Sequence, residues 1–403
     1  MPANPARRLA ILTAMRWFPV GLVVPVLVLL LGARGLPLDQ VGQAMALYGI
    51  VTLALELPTG GLADSWGRRQ VVIVAAVFNA AGLLVLAFFA ALPAVLAGIA
   101  MLGAARALSS GPLESWFVDV MHELGDHRIE TGLAQGQIAE SVALGLGSVI
   151  GGLLPLAFDA LPHTGRGFLS LSVPFALAAF MYLLFVVVAL VLLPGDRPRQ
   201  KVSMAATVVT AARRSVRDAP VRRVMFVAVC LGVMLSGIEL LAPNTFANLL
   251  GSPTAASGLY GVLTAAAFGT AAVGAAMSTR LPGRRPAVAA GAYLAGAGIV
   301  LLVGVPVIGV AAAAFLLFYV VIGVQGPVMA GLLHGRVDSA VRSTMMSVES
   351  LAMQAGGAFA SLVVGALSAG VGLMAGLAVI ASAAVGAAVL LWRDLAQRGP
   401  APM

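Results

Sequence analysis

The chain has 403 residues, 60% hydrophobic and only 10% charged, with a net charge of +8 and a mean hydropathy of +1.01. Soluble domains carry about 25% charged residues, so this deficit excludes a soluble fold and puts most of the chain in lipid. A positive surplus would suggest nucleic-acid binding in a soluble protein. Here every Lys and Arg except Arg16, Arg34, Arg106 and Arg166 falls at one set of span ends and loops, as the positive-inside rule requires, so no nucleic-acid partner is expected.

In chain order, apolar runs able to cross a bilayer, about 20 residues each, fall at 9–31, 41–61, 71–91, 94–121, 133–157, 168–193, 223–247, 256–279, 287–304, 306–332, 343–368 and 371–392. They are too long and too evenly apolar for barrel strands. The expected class is therefore an all-α membrane protein with twelve transmembrane helices. Leu92-Pro93, Gly304-Val305-Pro306 and Ala369-Gly370 read as tight turns on one side, while the arginine-bearing loops put both termini on the cytoplasmic side. Met1 to Arg8 is basic like the start of a signal peptide, but Arg16 interrupts the apolar run, which reads as an uncleaved first span. The lone cysteine, Cys230, lies in an apolar run and reads as packing. The near absence of lysine beside abundant Ala, Gly, Val and Arg points to a GC-rich bacterial source, hence to a bacterial cytoplasmic membrane.

The longest polar stretch, 194–222, divides an N-terminal half, 1–193, from a C-terminal half, 223–403. Between Ser203 and Asp218 its pattern is amphipathic, which fits either a short helix on the anionic leaflet or a plain basic linker. A repeat is readable across it. Glu140-Ser141-Val142-Ala143 is answered by Glu349-Ser350-Leu351-Ala352, Gly111-Pro112 by Gly326-Pro327, and Gly67-Arg68-Arg69 by Gly283-Arg284-Arg285. Three matches in order at nearly equal spacing imply two pseudo-symmetric six-helix bundles.

Gly60-Gly61-Leu62-Ala63-Asp64-Ser65-Trp66-Gly67-Arg68-Arg69 sets a charged, glycine-hinged turn between two apolar runs. With the twelve spans, the duplication and the central basic loop, it resembles the major facilitator superfamily over essentially the whole chain, and more narrowly that superfamily's bacterial multidrug efflux branch. The resemblance implies that Asp64 faces the N-terminus of the eleventh helix near Arg342 to Thr344, and that Arg68 pairs with Asp119 at the end of the fourth, latching one conformation. The inner-gate set is then Gly60, Asp64, Gly67, Arg68, Arg69 and Asp119. A carboxylate at a helix's positive end and an arginine forked onto a carboxylate are both physically favourable. Ser65 departs from the motif's usual basic residue, Arg280 stands where the second-half copy would have its aspartate, and the fifth span lacks the Gly-Pro of many exporters.

Ionisable groups at membrane depth cost a few kcal/mol or more each and are functional candidates by default. At ~1.5 Å per residue, Glu56, Glu114, Glu140 and Glu349 are expected roughly 7–10 Å inside the cytoplasmic boundary, with Arg16 at a similar level as an interfacial anchor or a cavity cation. Glu56, Glu140 and Glu349 read as secondary gate residues. Arg106 and Glu239 fall nearer the midplane, on spans that line the central cavity in the superfamily, and with Glu114 and Arg16 are the proton-coupling and substrate candidates.

The expected function is secondary active transport of a small organic solute by alternating access. It would be driven by the proton gradient, with no cofactor and no metal. There is no G-x-x-x-x-G-K-[ST] loop, the only lysine is Lys201, and no H-E-x-x-H or G-x-S-x-G motif occurs, so no catalytic residue and no enzyme activity are expected. Pro58-Thr59-Gly60 and Glu114-Ser115-Trp116 resemble the multidrug branch and point to proton-coupled efflux of drug-like or hydrophobic compounds. Proton-coupled uptake is the alternative, and a membrane-embedded enzyme or a non-transporting scaffold a distant one. The expected partners are the solute, protons and membrane lipids, with the chain a monomer.

Overall fold

The computed structural model describes residues 4–59, 62–160, 169–194, 219–278, 280, 285–334 and 342–397. Residues 195–218 of the basic linker, Gly60 and the copy of the loop at Gly283 lie outside the described residues. The described residues hold no strand. Their helices are α1 (Pro5–Val23), α2 (Leu27–Ala33), α3 (Leu38–Thr59), α4 (Leu62–Trp66), α5 (Arg68–Phe88), α6 (Leu92–Ser109), α7 (Pro112–Glu123), α8 (Ile129–Asp159), α9 (Val173–Leu192), α10 (Ala219–Leu250), α11 (Pro253–Ser278), α12 (Arg285–Leu302), α13 (Ile308–His334), α14 (Arg342–Gly370) and α15 (Leu373–Gln397). Eleven candidate spans are long and apolar enough to cross a bilayer, and Pro286–Leu302 is a shorter apolar helix that completes twelve. This is a multi-pass membrane protein.

Two expected spans are broken. The first is interrupted between Val23 and Leu27, beside Pro25. The fourth breaks at Ser110-Gly111 into α6 and α7, because Pro112 brings no backbone N–H to the ladder and Gly111 takes φ +92°, a left-handed conformation that a side chain would disfavour. Several helices also start earlier than their apolar runs. Asn4 caps α1 by accepting from the backbone N–H of Ala6 at 3.0 Å, and Pro5 needs no donor at the first turn.

The chain divides into two compact units. Unit 1 comprises Met1–Leu36, Val51–Ala205 and Ser252–Ala265; unit 2 comprises Pro37–Ile50, Ala206–Gly251 and Ala266–Met403. The units thus differ from the sequence halves by an exchange of the first parts of α3 and α11. Small residues explain it. In unit 1, Ser257 donates to the carbonyl of Gly152 at 2.9 Å, and Gly152 and Gly261 meet with no room for a Cβ. In unit 2, Gly42 lies against the backbone of Ser361 and Gly365 in the same way. Where helices are bathed in lipid, such backbone contact supplies the van der Waals cohesion that the hydrophobic effect cannot.

Within unit 1, α1 packs closely on α8 through Gly21, Gly147 and Gly151. Within unit 2, α10 packs on α14 through Gly232 and Gly356. These paired seams sit one in each unit, as the internal repeat leads one to expect. Arg34, just past α2, closes another junction of unit 1. Its guanidinium donates to the carbonyls of Leu86, Phe89 and Ala87 and to the Ser172 hydroxyl. The last carbonyls of α5 have no helical partner, and this arginine supplies one.

Candidate functional site

The break between α6 and α7 builds the site. Ser109, the last residue of α6, has a carbonyl that no downstream helical N–H can reach, and the Arg16 guanidinium on α1 donates to it at 2.9 Å. Beyond the break, Glu114 falls in the first turn of α7, where the helix dipole favours an acid. Its Oε1 lies 3.9 Å from Arg16 Nη1, an ion pair too long to be a hydrogen bond. Its Oε2 is buried without a hydrogen-bond partner among the described residues.

Trp17 is the platform on which the cations gather. The guanidinium carbons of Arg16 and Arg106 stand 5.0 and 5.5 Å from the centroid of its ring, both in cation–π range. Tyr182 on α9 donates to the Arg16 backbone carbonyl at 3.1 Å, fixing this stretch of α1. Glu140 on α8, half-buried, is within electrostatic reach of Arg16, Arg106 and Glu114. Five helices of unit 1 thus send charged or aromatic groups into a single cluster.

This arrangement bears on the two readings of Arg16. Arg16 is no snorkelling anchor: its side chain is only 11% exposed and is tied to Ser109. One indole ring holds the guanidiniums of both Arg16 and Arg106. Trp17 as a shared platform, Tyr182 and Ser109 were not foreseen as site residues. The Arg16-Trp17 pair and the Gly111-Pro112 breaker were the signals that could have found them.

The basic turn yields a second constellation in unit 1. Gly67, at φ +97°, starts α5, and Arg68 at its first position places Nη2 2.6 Å from Asp119 Oδ2 on α7. Arg69 is half-buried. Asp64 belongs to α4, but its side chain and Gly60 lie outside the described residues, as do the side chains of Arg342 to Thr344. Glu56 is half-buried near the end of α3, where Thr59 donates to the carbonyls of Leu55 and Ala107.

In unit 2, Glu239 lies well inside α10 and is exposed, although its helical neighbours Ala242 and Phe246 are fully buried. The carboxylate therefore opens from an otherwise packed face. Glu349 on α14 is half-buried and, with Cys230, is within electrostatic reach of Tyr293.

The family model described as Major Facilitator Superfamily matches residues 9–361. The chain belongs to that superfamily. Solved structures of the same fold include a nucleoside transporter NupG (14% identity, 99% of this chain and 100% of that one, TM-score 0.76). A D-xylose-proton symporter has 17% identity over 96% of this chain and 97% of that one, with TM-score 0.73. A peptide transporter POT in complex with sulfate has 17% identity over 98% of this chain and 94% of that one, with TM-score 0.73. At these identities the likeness establishes the fold. A search of curated proteins gives no match. In this superfamily member, the α6–α7 break and the Trp17 cluster bring together charged groups of the first, fourth and fifth spans.

Proposed function

We propose that this chain is a monomeric secondary transporter of a bacterial cytoplasmic membrane, with both termini cytoplasmic, that moves a small organic solute by alternating access. The energy comes from the proton gradient, with no bound cofactor. One observation carries this reading: two guanidiniums and two carboxylates are gathered around Trp17 inside apolar spans. Charge at that depth costs too much to keep for packing alone. Glu239 in unit 2, an accessible carboxylate with no hydrogen bond among the described residues, is the candidate proton carrier. The Arg68–Asp119 pair, with Asp64, serves as a conformational latch.

Two observations bear on direction. The resemblance of Pro58-Thr59-Gly60 and Glu114-Ser115-Trp116 to the multidrug branch supports export of drug-like or hydrophobic compounds. The charged lining supports uptake of a polar solute with protons, as does the likeness to the D-xylose-proton symporter. The site favours uptake, because a hydrophobic cargo gains nothing from an accessible guanidinium such as that of Arg106. The test is reconstitution of purified chain in liposomes with an imposed pH gradient, following solute and internal pH together. Solute entering with protons supports uptake, solute leaving against entering protons supports export, and no gradient-dependent flux of any solute class refutes the transport reading.

A further inference from the structure

The guanidinium of Arg106 is accessible and, among the described residues, has no carboxylate within ion-pair distance. Its neighbour on the ring, Arg16, is already held by Ser109 and Glu114. The cluster therefore presents an accessible guanidinium over an indole, with only the distant Glu140 carboxylate to offset it. Such a cation calls for an oxyanion.

From this geometry we propose that Arg106, held against the Trp17 ring, binds the carboxylate of an organic monoanion, and that Glu140 takes up a proton as the anion enters. The proposal rests on the transport reading and names its substrate class. A single negative charge is specified because Arg16 and Glu114 already form one pair, leaving Arg106 as the one cation to neutralise. A phosphate dianion would exceed it.

The proton follows from charge balance. Before the solute arrives, Arg106 and Glu140 offset each other at a distance, and Glu140 makes no hydrogen bond or ion pair among the described residues. Once a solute carboxylate neutralises Arg106, Glu140 is left as a bare anion at membrane depth. A proton supplied by the buffered solution joins its carboxylate oxygen and restores neutrality. The other titratable or charged groups facing Glu140 are Arg16 on α1, Arg106 on α6 and Glu114 on α7; Tyr182 on α9 faces Arg16.

The test uses the purified full chain and a panel of small monocarboxylates, from acetate to octanoate and benzoate. Matched primary amides, amines and phosphate monoesters complete the panel. Binding is read by calorimetry, and proton uptake by calorimetry in buffers of different ionisation enthalpy. We expect carboxylates to bind in preference to all matched controls, with about one proton taken up per anion, so that affinity falls as pH rises. Arg106→Gln should weaken binding at least about tenfold, and Arg106→Lys should restore part of it. Glu140→Gln should still bind the carboxylate but without proton uptake and with a flat pH dependence. Equal affinity for carboxylates and amides, preference for phosphates or amines, or carboxylate affinity unaltered in Arg106→Gln would overturn the proposal. Proton uptake persisting in Glu140→Gln would overturn the role of Glu140. Gradient-driven flux of a non-anionic solute without carboxylate binding would remove this site and keep the transporter. Carboxylate binding without flux would do the reverse.

Discussion

Consider Asp119→Asn. Arg68 sits at the first position of α5, where the helix dipole disfavours a cation, so the Asp119 carboxylate at 2.6 Å supplies its compensation. The side chains are 13% and 27% exposed, enough enclosure that solvent does not screen the pair away. A hydrogen bond between charged groups contributes about 1.5–3 kcal/mol, which corresponds to about 10- to 150-fold in a two-state equilibrium if the pair forms in only one state. We expect Asp119→Asn and Arg68→Gln each to lower the unfolding midpoint in detergent and to change the transport rate. The double variant should cost little more than either single one. The exchange Arg68→Asp with Asp119→Arg should recover part of both properties. Additive single effects, with a coupling below about 0.5 kcal/mol, would refute the reasoning, because independent sites add and paired ones do not.

Glu239→Gln is expected to abolish solute movement driven by a pH gradient while leaving solute binding measurable; unchanged gradient-driven flux in liposomes would reject Glu239 as the carrier. Arg34→Ala removes the donors held by Leu86, Ala87, Phe89 and Ser172 and should destabilise the protein by about 2–4 kcal/mol, with Arg34→Lys recovering only part because an ammonium cannot fork; equal unfolding midpoints for the two variants would contradict this. Gly151→Ala forces a methyl onto the backbone of Leu22 and should cost about 1–3 kcal/mol, whereas Gly145→Ala meets only the Ala265 Cβ at 3.9 Å and should be nearly neutral, a contrast read by thermal unfolding. In the turn after α7, the Arg128 side chain and backbone N–H hold the Asp126 carboxyl down to about 2. A depressed pKa makes its contribution complete above the ordinary value of 3.8 and lost as pH falls towards 2, so the difference in unfolding midpoint between wild type and Asp126→Asn should be constant above that range and shrink within it.

Much of the fold was legible in the sequence. Twelve helices follow from run length and from the rule that lipid leaves no backbone group unsatisfied. The closeness of Arg68 to Asp119 was legible too, through the resemblance of the Gly60 to Arg69 segment rather than through any local rule. The helix start was less legible, since apolar runs mark the lipid-facing length, while Asn4 and Pro5 extend α1 beyond it.

The sequence by itself determined which groups are charged inside lipid and on which helix each one stands, because solvation cost and hydropathy are properties of residues in order along the chain. Only the tertiary structure decided that Arg16 and Arg106 share one indole, that Arg16 takes the Ser109 carbonyl, and that parts of α3 and α11 cluster with the opposite halves of the chain. Those outcomes depend on the rotation of each helix about its axis and on where two glycine-lined backbones touch. Helix packing fixes both, and no run of residues read alone contains them.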